Sequence, residues 1–75
     1  KAINVSVLQY LSEKKGLKSI DAESLIDAGL ISKSDLVKIL GNGTLTAKLS
    51  VAAHSFSRKA KEIIEGAGGT TEIIN

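Results

Sequence analysis

Seventy-five residues are enough for one domain, and with no Cys, Met or Trp and only Tyr10 and Phe56 as aromatics, its core must be built from Ile, Leu, Val and Ala. The lack of Cys excludes disulfides and thiolate metal sites. A hydrophobic fraction of 43% argues against a disordered chain, and no apolar run reaches the roughly 18 residues of a membrane span. The net charge of +2 is unevenly spread. Through residue 32 four Lys meet four carboxylates, residues 33–61 set six cations against Asp35 alone, and the remainder adds only Glu62, Glu65 and Glu72. A basic middle between neutral and acidic flanks is the pattern of an anion-facing surface, or of a merely solvated lysine-rich face.

Taken in chain order, Ile3–Val5 reads as a short strand or extended entry. The segment SVLQYLSEKKG then carries helical spacing in Val7, Leu8 and Leu11, with Asn4 or Ser6 as cap and Gly16 as stop. A second helix is predicted from Ala22 to Ala28. Asp21 is its N-cap, Gly29 takes the left-handed position after it, and Ile20 and Leu25 are spaced as a hydrophobic staple. Residues 36–40 resemble a strand, and Gly-Asn-Gly at 41–43 is a turn. In residues 45–53, Leu45, Ala47, Leu49 and Val51 share one face, which predicts a half-buried strand or strand pair. A third helix is expected over about 57–66. Ser57 caps it, Ala60, Ile63, Ile64 and Ala67 form its apolar stripe, and Gly66, Gly68 and Gly69 end it. Residues 70–74 read as a closing strand. A domain this small buries only about 60% of the surface its unfolded chain exposes, so a partner surface that binds the folded form would add needed stability.

The residues offer little catalytic chemistry. His54 is the only histidine, so no His-pair metal site and no Cys–His nucleophile can be assembled. His54 beside Ser55 or Ser57 mimics part of a hydrolase triad, but Ser-rich flanks are ordinary at strand-to-helix junctions. The glycines at 41 and 43 are not followed by the Gly-Lys-Ser/Thr of a phosphate-binding loop. The basic segment from Lys48 to Lys61 is the better candidate. A helix start near Ser57 offers free amides and a positive dipole end. Around it stand His54, Ser55, Arg58, Lys59 and Lys61, all able to bond phosphate oxygens without reading sequence. With Phe56 alone and expected to pack inward, recognition would be of backbone and shape rather than of stacked bases.

Five segments in order, VKILGNG at 37–43, LTAKLSV at 45–51, AHSFS at 53–57, AKEIIEGAGG at 60–69 and, upstream, AESLIDAGLI at 22–31, resemble the bacterial-type large-subunit ribosomal protein fifteen family. The resemblance runs from residue 3 to residue 74. It implies a small mixed α/β domain, an irregular superhelix of short strand–strand–helix turns. It also implies a non-enzymatic structural component of the large ribosomal subunit that binds ribosomal RNA and supports subunit assembly. Neighbouring large-subunit proteins would be further partners, with no cofactor, metal, membrane or small-molecule substrate, and the protein would be cytoplasmic, on the ribosome. Such proteins carry a long basic N-terminal arm that this chain lacks. Since Lys1 is not an initiator Met, residues 1–75 are expected to be the single C-terminal globular domain of a longer protein. Lys48, His54, Ser55, Ser57, Arg58 and Lys59 are the expected RNA-facing residues, and Gly41, Gly43 and Phe56 are assigned to structure. The alternative is a non-ribosomal protein-interaction module of the same fold.

Overall fold

A computed structural model describes residues 1–74. The elements are β1 (Ala2–Asn4), α1 (Val5–Lys15), β2 (Ser19–Ile20), α2 (Ala22–Asp27), β3 (Lys38–Leu40), β4 (Ser50–Ala53), β5 (Ser55–Phe56), α3 (Arg58–Gly66) and β6 (Thr70–Ile73). The odd-numbered strands form one three-stranded sheet in the order β1-β3-β5, and the even-numbered strands form a second in the order β2-β4-β6. Every pairing is parallel. The chain therefore lays one strand in each sheet per pass and winds as the expected irregular coil of short strands and helices, with a helix between the two strands of the first and third passes and none in the second.

Parallel register aligns side chains into rows, because successive residues of a strand alternate between faces. In the first sheet Ile3, Ile39 and Phe56 form the inward row, while Ala2, Lys38 and Ser55 form the outward one. In the second, Ile20, Val51 and Thr71 form one row and Ser19, Ser50 and Thr70 the other, where the Thr70 hydroxyl donates to Ser50 Oγ at 3.2 Å. The core beneath is wholly aliphatic. It takes Val5, Leu8 and Leu11 from α1, Leu25 from α2, Ala60 and Ile64 from α3, and Val37, Leu45 and Leu49 from the connections, with no buried polar or charged residue among those described.

The helix ends follow their sequence signals with one exception. Asp21 caps α2 by accepting from the Ser24 amide at 2.9 Å, and Gly29 adopts φ +76° just past its end. Ile20 and Leu25 are both buried, as the staple requires. At α1, Asn4 holds the N-cap position, yet its side chain makes no capping bond. The Ser6 amide instead donates to the Asn42 carbonyl at 3.3 Å, so the glycine turn takes the place of a side-chain cap.

One predicted element is shorter than expected. Residues 45–51 keep the alternation, with Leu45, Leu49 and Val51 buried and Thr46, Lys48 and Ser50 exposed, but only Ser50–Ala53 joins a sheet. Among the described residues the first half has no neighbouring strand. Its amides at Thr46 and Ala47 bond to the Gln9 side chain of α1 instead, at 3.0 and 3.1 Å. Alternation reports burial on one side of an extended chain and does not by itself supply a ladder.

Candidate nucleic-acid interface

Within the basic segment, β4 leads directly into β5 at His54. At that junction the His54 and Ser55 amides both donate to the Val37 carbonyl, at 3.1 Å each, and the Ser57 amide donates to Ile39 at 2.8 Å. These bonds lash residues 54–57 to the edge of β3. Phe56 lies half-buried against the core, so only part of its ring is open to a base.

Ser57 then caps α3, its hydroxyl accepting from the Ala60 amide at 3.1 Å and its carbonyl from the Lys61 amide at 3.0 Å. With the Ser57 and Ala60 amides bonded, two of the four orphan donors at this helix start are satisfied. The Arg58 and Lys59 amides have no bonded partner among the described residues. Both side chains are exposed. Arg58 reaches Glu62 one turn on at 3.7 Å, a solvent-exposed pair that only partly offsets its charge. The stem of Lys59 lies on Gly41, where any Cβ would stand 2.7 Å from Lys59 Cγ and 2.9 Å from the Ala60 amide nitrogen. Gly41 is thus required by close approach, and Gly43 both by φ +99° and by its contact with Ser6, so both glycines are structural as expected.

The six expected residues do not form one cluster. Ser57, Arg58 and Lys59 lie together at the start of α3. Lys48 lies at its other end, with its Cγ and Cδ 3.7 Å from where a Gly68 Cβ would be. The nine residues of α3 put about 13 Å between the two. His54 and Ser55 fall into a third place, a groove at one end of the first sheet that Lys1, Leu36 and Lys38 also line.

Sequence reasoning passed over Lys38 and Leu36. The signal for Lys38 was its outward position between the inward Val37 and Ile39. Its register opposite Ser55 comes from a parallel pairing across 17 residues that local pattern does not reveal. Among the described residues no group of three or more His, Cys, Asp or Glu is placed to hold a metal ion. Among the described residues no helix is long and apolar enough to cross a membrane.

The chain is 58% identical over 69 residues to the large ribosomal subunit protein uL15 of Bacteroides fragilis, a match covering 92% of this chain and 47% of the relative. The protein of the same name from Parabacteroides distasonis is 56% identical over 70 residues, covering 93% and 47%. That from Amoebophilus asiaticus is 49% identical over 75 residues, covering all of this chain and 49% of the relative. The chain therefore spans about half the length of the curated relatives it matches. Residues 2–72 match the family that groups the ribosomal proteins 50S-L15 and 50S-L18e with a counterpart from the 60S subunit. With nearly its whole length matched, and with the coil of short strands and helices that the resemblance implied, this chain belongs to that ribosomal protein family.

Proposed function

We propose that the chain is the C-terminal globular part of a structural protein of the large ribosomal subunit, which docks on folded ribosomal RNA and supports subunit assembly without catalysing a reaction. The observation that carries this reading is identity of 49–58% to large-subunit proteins along nearly the whole chain. The surface chemistry supports it. Arg58 and Lys59 extend from a helix start where their own amides have no bonded partner among the described residues, a combination suited to phosphate oxygens and indifferent to base identity. Lys48, at the far end of α3, suits a second phosphate about one helix length away. A basic arm preceding Lys1 would supply most of the remaining charge, and the partners would be ribosomal RNA and adjacent large-subunit proteins, with the ribosome as location.

Salt dependence tests the reading. The full-length protein, titrated onto protein-free large-subunit ribosomal RNA, should lose affinity steeply as salt rises. Replacing Lys59 or Lys48 with Gln should lower the log–log slope by roughly 0.7–0.9 each. Slopes unchanged in both variants would remove these residues from the interface. Binding insensitive to salt altogether would favour a protein-interaction module instead.

A further inference from the structure

We infer a second RNA contact, distinct from the α3 start, in the groove at the end of the first sheet: Lys38, Ser55 and the Nε2–H of His54 hold one backbone phosphate while Leu36 packs against the adjoining sugar. This inference rests on the ribosomal reading above and adds to it a site, a set of donors and a protonation form.

The His54 ring supplies the key constraint. Its Nδ1 accepts the Val37 amide at 2.9 Å, which only an unprotonated Nδ1 can do. The proton of the neutral ring therefore sits on Nε2, on the side of the ring away from that bond, where it has no bonded partner among the described residues. A main-chain bond thus fixes His54 as a donor in one orientation. Register sets Lys38 directly across from Ser55 on the outward row, and both line the groove together with His54.

The charges around the groove are complementary to an anion. Of its lining residues Lys1 and Lys38 are cationic and none is acidic. The carboxylate nearest in sequence, Asp35, accepts from the Ser32 amide at 2.9 Å and hydroxyl at 3.1 Å and also feels the charge of Lys1, so Lys38 is the groove cation that no carboxylate offsets in an ion pair among the described residues. Leu36 is 70% exposed beside these donors, the largest exposure of any large apolar side chain described. Donors on one wall and an unpartnered apolar side chain on the other suit the alternation of phosphate and sugar along an RNA strand.

Two substitutions separate this role from a structural one. In His54→Asn the side-chain oxygen takes the place of Nδ1 and retains an acceptor for the Val37 amide, while the Nε2 donor is lost. Lys38→Gln removes one charge from an exposed position. Both full-length variants should melt close to the parent protein. On protein-free large-subunit ribosomal RNA, Lys38→Gln should reduce the salt slope by roughly 0.7–0.9, and His54→Asn should weaken binding about tenfold with little change in slope. In the parent protein, the same RNA should shield Lys38 from acetylation by a small amine-reactive ester. Parent affinity and slope in both variants, with Lys38 still reactive in the complex, overturn the groove while leaving the ribosomal reading intact. Shielding that appears only when other ribosomal proteins are added gives the groove to a protein and also overturns the proposal. If the parent protein shows no salt-sensitive RNA binding, both readings fall together.

Discussion

Gln9 holds Ala47 from 38 residues away: its Oε1 accepts the Ala47 amide at 3.1 Å and the neighbouring Thr46 amide at 3.0 Å, while its Nε2 donates to Glu13 at 2.8 Å. One side chain of α1 thereby supplies the bonds that a neighbouring strand would otherwise give to residues 44–49. Gln9→Ala should cost about 1–2 kcal/mol in urea unfolding, because two amides lose an acceptor together. Gln9→Glu keeps the acceptor but sets a carboxylate against Glu13, so it should cost less than Gln9→Ala only when paired with Glu13→Gln. In hydrogen exchange the Ala47 amide should lose protection in the Ala variant only.

Two glycines near the end of α3 should respond in opposite directions. A Cβ at Gly69 would collide with the Leu49 carbonyl oxygen and crowd the Ile64 carbonyl at 3.1 Å, all of it main chain that cannot swing aside. Gly69→Ala should therefore destabilise by roughly 3 kcal/mol or more, enough to unfold much of so small a domain. Gly66 has nothing within 4 Å of its would-be Cβ and sits in helical conformation. Gly66→Ala should raise stability by about 0.4–1 kcal/mol. Thermal melts of the two variants beside the parent decide the matter.

Removing the hydroxyl of Ser57 should cost about 1 kcal/mol through loss of the α3 cap. Ile64→Ala, at a fully buried position, should cost about 2–5 kcal/mol through the cavity it leaves. The ranking carries the prediction, and comparable losses in chemical denaturation would contradict it.

Acid should weaken the fold through two carboxylates. The Ser24 amide holds the Asp21 carboxyl below its usual range, helped by the Ser24 hydroxyl and opposed by slight burial. The Ser32 amide does the same for Asp35, aided by the Ser32 hydroxyl and the charge of Lys1. A folded-state value below the unfolded one means stability present above the unfolded pKa of about 3.9 and lost as pH falls through the folded value. Melting temperature should therefore drop below about pH 4, and less so in an Asp21→Asn, Asp35→Asn double variant. Equal acid sensitivity in parent and double variant would place the effect elsewhere.

The three helices and the glycine turn were legible because each carries local signals: Asp21 and Ser57 as caps, Ile20 and Leu25 as a staple, the Ala60–Ile64 stripe, and Gly43 where φ is positive. The inward faces were legible too, since alternation marks Leu45, Leu49 and Val51 whether or not they join a sheet. Strands β2 and β5 were not. Two residues each, Ser19–Ile20 and Ser55–Phe56, are too short for any period to show, and they are strands only because β4 and β3 lie beside them. The same non-locality hid the relation of Lys38 to Ser55. It also let six residues that look like one basic segment divide among the two ends of α3 and a separate groove.

The alternation of strands between the two sheets has a consequence for cutting the chain. The exposed Asn42–Gly43 bond lies between β3 and β4. Cleavage there leaves the first fragment with the β1–β3 pair and β2 alone, and the second with the β4–β6 pair and β5 alone. Each fragment holds the neighbour that the other's solitary strand needs. The two halves are thus obligate complements, unable to form separate folded pieces, and a nicked protein should stay together as long as both fragments are present.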